Sequence, residues 1–429
     1  MWLRLAALAA LAIAPCVHAQ APSPIVPPDV LTLDDAVARV ARTHPDLRQI
    51  DARRGGLQAD FDAASLRPAL RAGLDIENAL GSGQARAFRQ GETTLTLAGV
   101  LERGGKLDAR RTLAQARIDA LALQRETQRL DLLADVARRY LAVAAARARK
   151  TIAEQDIAQR RRTVAGARQR LQAGASPESV VLTAEAALAR AELSRARAEQ
   201  QEVAARQHLA ALWGERAPRF DIAPADPLAL PDIPDSAELA ALLDGTPELA
   251  QFADERRVRE ARVRLARTAA IPDVDWQVGV RRLQEGGDMA LVGGVSLPLG
   301  AARRAGPEMR SAEADLAALE IERESRDIAL YSTLADAHGR YRVAQLDVQR
   351  TRADVLTRLL RAEQAAERAY RAGAISYLEW AQLQSETTAT RRQQLDAALD
   401  AQAALIEIQR LTGQAFVAAP AASPEGTTP

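Results

Sequence analysis

The sequence predicts a mainly α protein with a β-barrel portion that one chain cannot complete. Three observations predict it. One unit of helices and strands is written twice, the longest helical stretches run about 66 residues with coiled-coil spacing, read from Leu113 to Ala144 in the first, and four segments alternate apolar and polar residues with a period of two.

The 429 residues open with a cationic start, Met1 to Arg4, an apolar run from Leu5 to Ile13, and Val17-His18-Ala19 ahead of Gln20. That order reads as a signal peptide over residues 1–19, because the apolar run is too short to span a bilayer as a helix. Cys16 is expected to leave with it, since Pro15 is a poor neighbour for a lipoprotein site. The mature chain then holds no cysteine, which excludes disulfide frameworks, thiol catalysis and cysteine metal sites together. Lys plus Arg number 57 against 56 for Asp plus Glu, so no long-range field would gather nucleic acid. Arginine is spread along helices beside Glu and Asp, as on solvated faces. Aromatic residues are only 3%, while Ala and Leu dominate, which favours long, closely packed helices.

Residues 20–32, with their prolines between Pro22 and Pro28, form an expected flexible lead. The first copy, 33–215, reads as a helix from Leu33 to Ser65, a strand pair within Ala69 to Leu101, a long helix from Lys106 to Gln172, a turn at 173–177, and a helix from Glu178 to Trp213. Residues 216–235 carry Pro218, Pro224, Pro227, Pro231 and Pro234, which forbid a regular helix and mark a linker. The second copy, 236–414, repeats the order: Ser236 to Thr268, strands within 273–299, a long helix from Gly306 to Arg371, a turn at 372–376, and a helix from Tyr377 to Leu411. A tail, 415–429, is expected to be disordered. Three pairs of segments carry the repeat: His44-Pro45-Asp46-Leu47 with Thr246-Pro247-Glu248-Leu249, Arg170 to Ala175 with Ala369 to Ala374, and Leu212-Trp213-Gly214-Glu215 with Leu411-Thr412-Gly413-Gln414.

Each long helix would rise about 100 Å, and the two shorter helices of a copy sum to a similar length, so they are expected to stack end to end beside it. The first long helix alternates steps of three and four through Leu113, Ala116, Ala120, Leu123, Thr127, Leu130, Ala134, Ala137, Leu141 and Ala144. That is coiled-coil spacing with small residues that let backbones approach, and an ordinary two-helix coiled coil would share it.

The four period-two segments are about eleven residues each, enough to cross roughly 25 Å of hydrocarbon when tilted. Leu70, Ala72, Leu74 and Ile76 alternate with Arg71, Gly73, Asp75 and Glu77; Leu95, Leu97, Gly99 and Leu101 form a weaker second face. Val274, Trp276, Val278 and Val280 stand against Asp273, Asp275, Gln277, Gly279 and Arg281, and Leu291, Val295, Leu297 and Leu299 share the fourth face. Four strands cannot close a barrel, and open edges cannot be left in lipid, so several chains must contribute. Three would give twelve strands around a water-filled lumen. Two soluble hairpins are the alternative, favoured by the near absence of an aromatic girdle.

The most specific stretch is Leu74-Asp75-Ile76-Glu77-Asn78, then Gly81-Ser82-Gly83, then Glu92-Thr93-Thr94-Leu95-Thr96-Leu97, closing in Val100-Leu101-Glu102-Arg103-Gly104-Gly105-Lys106. With the layout over about residues 30 to 415, this resembles the TolC-like outer-membrane factor family and, within it, the CzcC-like heavy-metal efflux branch. The second copy is similar at Gly294 to Leu299, but Gly300, Ala301 and Ala302 replace the Phe and Asn usual there. The resemblance implies a homotrimer with a 12-stranded outer-membrane β-barrel, in contact with outer-membrane lipid, continuous with a long periplasmic α-helical barrel. It implies an inner-membrane RND-type pump and a periplasmic membrane-fusion adaptor as partners. It makes the two Gly turns the adaptor contacts: Ala173, Gly174, Ala175, Ser176 and Pro177, with Arg371, Ala372, Gly373, Ala374, Ile375 and Ser376. It places Glu379 in a carboxylate ring at the channel aperture, with Gln382 where a second carboxylate lies in the family. Read locally, the turns are also simple helix reversals and Glu379 a solvated helix residue.

Catalytic and cofactor sites are not expected. His44, His208 and His338 lie far apart with no partner at metal-ligand spacing, and there is no nucleophile elbow, phosphate loop or carboxylate pair. Three functions remain open: a passive channel for heavy-metal cations, a multidrug or type I secretion channel, and a soluble periplasmic coiled-coil scaffold.

Overall fold

A computed structural model describes residues 30–83 and 87–416. The expected signal peptide with Cys16, most of the lead and most of the tail lie outside the described residues. The part of the lead that is described is ordered. Val30–Leu31 (β1) pairs in parallel with Asp221–Ile222 (β4) of the linker, and the Leu31 carbonyl accepts from Tyr140 Oη at 3.2 Å. At the other end Phe416 packs on the same core, so the described start of the tail is held too.

The first helix is two helices. α1 (Leu33–Thr43) starts at a capping box between Thr32 and Asp35, and α2 (Pro45–Ala64) starts at Pro45. Pro45 pushes the residue before it out of the helical region, and His44 sits at ψ 131°. The second copy breaks for the same reason: α5 (Ser236–Ala241) is separated from α6 (Pro247–Thr268) by a 3-10 turn and by Thr246 at ψ 147°.

α3 runs unbroken over Lys106–Gln172, and α4 over Glu178–Ala210. The second long helix differs from expectation at its start. α7 (Ala301–Arg350) begins after Gly300, whose φ of 80° makes the turn, earlier than the expected Gly306, and Pro307 falls inside it. A π-helical stretch, Thr351–Leu356, joins α7 to α8 (Thr357–Arg371), and α9 (Tyr377–Thr412) returns. Beside the wide turn the buried Gln394 side chain donates to the Val348 carbonyl at 3.1 Å.

The strands are β2 (Arg71–Glu77), β3 (Glu92–Leu101), β5 (Val274–Leu283) and β6 (Met289–Ser296), seven to ten residues long, shorter than predicted. β2 stops at Asn78, whose φ is 54°, and β6 stops short of Pro298, which has no amide to donate. They form one antiparallel sheet in the order β2-β3-β5-β6. Its register aligns Leu74, Leu95, Val280 and Leu291 across all four strands on one face. That face is bare: Leu95 is 62% exposed and Leu291 89%. The other face carries Arg281, which reaches Glu92 at 2.8 Å, Thr94 at 3.0 Å and Glu77 at 3.2 Å.

The helices repeat the order of the sheet. Next to it α2 packs on α3, α3 on α6 and α6 on α7; farther away α4 packs on α3, α3 on α9, and α9 on α7 and α8. The chain is therefore four columns wide, with β2, α2 and α4 along one edge and β6, α7 and α8 along the other. Two apolar cores lie where the short helices meet the linker, one around Leu31, Val40, Tyr140 and Leu209, the other around Leu239, Leu334, Tyr341 and Ile408. Tyr341 closes the second by donating to the Pro231 carbonyl. Among the described residues no helix is long and apolar enough to cross a membrane.

Candidate functional site

Both Gly turns lie at the end of the columns away from the sheet and have the same backbone. Gly174 N donates to Leu171 O at 2.9 Å and Ala175 N to Arg170 O at 2.9 Å; Gly373 N donates to Tyr370 O at 3.0 Å and Ala374 N to Ala369 O at 2.8 Å. These paired bonds satisfy the last carbonyls of a helix and need a left-handed residue, which Gly174 at φ 69° and Gly373 at φ 77° supply. Ala173, Gly174, Ala175 and Pro177 are exposed and Ser176 half-buried; Arg371, Ala372, Gly373, Ala374 and Ser376 are exposed and Ile375 half-buried. Arg371 is engaged by Glu367.

The turns are tied together by Arg170. It donates from Nη1 to Tyr370 O at 2.6 Å and from Nη2 to Ala175 O at 3.4 Å, and its guanidinium lies 4.9 Å from the Tyr370 ring centre. Tyr370 in turn stacks on Trp380 at 5.0 Å.

Glu379 is the third residue of α9 and closes a capping box with Ser376. Its Oε2 accepts from Ser376 N at 2.8 Å, and Ser376 Oγ accepts from Glu379 N at 3.3 Å. The bonds from Ser376, backbone first, hold its carboxyl below the usual range. Gln382 follows one turn later on the same helix face, and both are exposed.

Above the turns, α3 and α9 are cross-linked by polar pairs running in opposite directions along the two helices. Gln384 Nε2 donates to Thr163 Oγ1 at 2.8 Å and Thr388 Oγ1 to Asp156 Oδ1 at 3.3 Å, with all four residues buried. Arg149 then meets Asp396 at 3.1 Å and Arg138 meets Glu407 at 2.6 Å. At the sheet end, Gly104 (φ 73°) and Gly105 (φ 75°) turn β3 into α3. Lys106 Nζ reaches Asp273 at 2.8 Å and Arg110 reaches Glu102, so each charge of the Glu-x-Gly-Gly-Lys stretch holds this junction.

The sequence profile described as outer membrane efflux protein matches residues 37–215 and 239–414. The chain belongs to the outer membrane efflux protein family. A segment of 175 residues is 30% identical to the cobalt-zinc-cadmium resistance protein CzcC of Cupriavidus metallidurans, spanning 41% of this chain and 42% of that protein. The structure is similar to that of the channel-forming protein CusC, with a TM-score of 0.73 at 19% identity over 89% of this chain and 91% of that one. It is similar to the outer membrane protein VceC of Vibrio cholerae, with a TM-score of 0.71 at 18% identity over 90% and 97% of the two chains. At these identities the likeness shows the fold.

The chain is thus an outer membrane efflux protein whose larger part is helical. In this efflux protein the two turns lie together at one end, with Glu379 and Gln382 beside them. Sequence reasoning missed Arg170, because its equivalent in the other copy is Ala369 and its partner across the turns, Tyr370, lies two hundred residues away. It also missed the buried pairs, although Arg149, Asp156, Thr163 and Arg170 recur at seven-residue steps on a helix otherwise rich in Ala. Among the described residues no group of three or more His, Cys, Asp or Glu is placed to hold a metal ion.

Proposed function

We propose that the chain is the outer-membrane channel of a tripartite efflux system and works as a homotrimer. Its three sheets would close a twelve-stranded barrel in lipid, and its columns a helical tunnel in the periplasm. The observation that carries this is the sheet: one bare face that is apolar except for Thr93 and Arg282 at one end, and two unpaired edges, which lipid and neighbouring strands would satisfy. A periplasmic membrane-fusion adaptor would dock on residues 173–177 and 371–376, linking the channel to an inner-membrane RND-type pump. Glu379 of three chains would ring the aperture and favour cations over anions, with Gln382 leaving that ring half as charged as one of two carboxylates. Heavy-metal cations are the proposed cargo, supported by the partial likeness to a cobalt-zinc-cadmium resistance protein.

Deletion of the gene tests the cargo. Lowered tolerance to zinc, cobalt or cadmium is the expected result. Unchanged metal tolerance with new sensitivity to dyes would replace it by a multidrug or secretion channel. Recovery of the protein from the soluble periplasm without detergent would overturn the channel itself.

A further inference from the structure

The polar face of the sheet is uneven along its length. At the end far from the helices, Glu77 of β2 and Glu92 of β3 stand directly opposite each other. The next row on that face aligns Asp75, Thr94, Arg281 and Ala290 across all four strands. The row after it, Gly73, Thr96, Gly279 and Val292, carries no charge, and Arg71 comes one row nearer the helices. The charged groups of the far end therefore form a cluster of their own.

Two like charges directly opposite on paired strands repel and weaken the pairing. Arg281 relieves this from the third strand. Its guanidinium crosses β3 to reach Glu92 at 2.8 Å and Glu77 at 3.2 Å, its Nε donates to Thr94 Oγ1 at 3.0 Å, and Thr94 is left only 2% exposed. Asn78 adds a bond from Nδ2 to Glu92 at 3.1 Å. The neighbouring cation, Arg282, is turned to the apolar face and cannot share the task. Asp75 is exposed, and among the described residues no cation pairs with it. One guanidinium thus stands against three carboxylates, and the cluster keeps a negative surplus that depends on where Arg281 lies.

We infer that this cluster sets the ion preference of the outer mouth of the channel, and that Arg281 is its specificity-determining residue, trimming a carboxylate-lined wall that favours cations. This rests on the proposed channel, whose lumen the polar face would line, and it acts by field and not by coordination of an ion. Twelve strands about 4.8 Å apart and tilted by about 40° make a wall of about 12 Å radius, with charges on its inner face about 10 Å from the axis. Three such charges change the cation concentration on the axis about twofold at 0.1 M salt and the cation-to-anion ratio about fourfold, and almost nothing at 1 M, where the Debye length falls to about 3 Å. The same geometry makes the effect of Arg281 opposite in sign to that of Glu77 and Glu92.

The test is the reversal potential of the full chain in planar bilayers under a potassium chloride gradient, for the parent, Arg281→Gln, Arg281→Lys and the double variant E77Q/E92Q. R281Q is expected to raise the cation-to-anion permeability ratio about fourfold at 0.1 M salt, E77Q/E92Q to lower it, and R281K to stay near the parent; all of these differences should vanish at 1 M. R281K shifting like R281Q would make the residue a brace for the strands alone and overturn the inference. Parental ratios in both R281Q and E77Q/E92Q, or shifts of the same sign, would overturn it too, while a shift in Glu379→Gln in the same bilayers leaves the channel standing. A parent protein that carries no current would overturn the channel beneath it.

Discussion

Arg410 gives the sharpest energetic test of how the four columns are joined. From α9 it donates to Glu248 of α6 at 2.7 Å, to Asp131 of α3 at 2.9 Å and to Glu407 at 2.8 Å, while Glu248 also holds Arg326 of α7 at 2.8 Å. The side chains of Arg410, Glu248 and Glu407 are only 15%, 8% and 17% exposed. Arg410→Met keeps the length and removes the guanidinium. Breaking a buried pair costs about 3–5 kcal/mol, and because Glu248 keeps Arg326 and Glu407 keeps Arg138, the expected loss is about 3 kcal/mol. Burial pushes Glu407 up, but the bond and charge of Arg410, with Arg138, hold it net below the usual range. A depressed carboxylate contributes stability that is complete above its unfolded pKa and is lost as pH falls through the folded one, so R410M should also flatten the acid limb. The assay is unfolding followed by circular dichroism in detergent, for R410M, Glu248→Gln and the double variant, at neutral and acid pH. The double variant should lose at least about 0.5 kcal/mol less than the sum, since either single change already breaks the Arg410–Glu248 pair. Additive losses, or R410M within about 0.5 kcal/mol of the parent, would refute the network.

Three further outcomes are expected. Glu379→Gln should shift the cation-to-anion current ratio in planar bilayers while keeping the cap, since Gln also completes a capping box; Ser376→Ala should leave the ratio alone and cost about 1 kcal/mol of helix stability. An unchanged ratio in E379Q removes Glu379 from the aperture. Gly174→Val or Gly373→Val forces a β-branched residue into left-handed backbone at a cost of about 1–2 kcal/mol, and should allow assembly yet abolish efflux; normal resistance would count against adaptor docking there. Gly104→Val combines φ 73° with a Cβ 2.7 Å from Ile271, so folded protein in outer-membrane fractions should fall sharply, and normal yield would contradict the junction geometry.

Local signals in the sequence located most elements. Gly105 and Gly174 bracket the heptads of α3, and that helix fills the space between them. Pro45 and Pro247 were read as part of continuous helices because apolar periodicity persists across them, while their effect on the preceding ψ is local. Pro307 stands inside α7, which starts earlier than the expected Gly306 and has lost only one amide there. The π turn at Thr351–Leu356 has no composition of its own and lies against α9, a contact that no local pattern announces. At the turns, glycine marked the backbone, but Arg170, Gln384 and Thr388 act through partners more than 190 residues away, and no spacing rule links such residues. The capping box at Ser376 and Glu379 was legible as a motif, though the residue was weighed only as a charge.

A density map of the detergent-solubilised particle tests the central claim most directly. Three chains sharing one closed wall of twelve strands, with Leu74, Leu95, Val280 and Leu291 turned to the micelle, is the predicted result. A single chain whose sheet has water on both faces would contradict it.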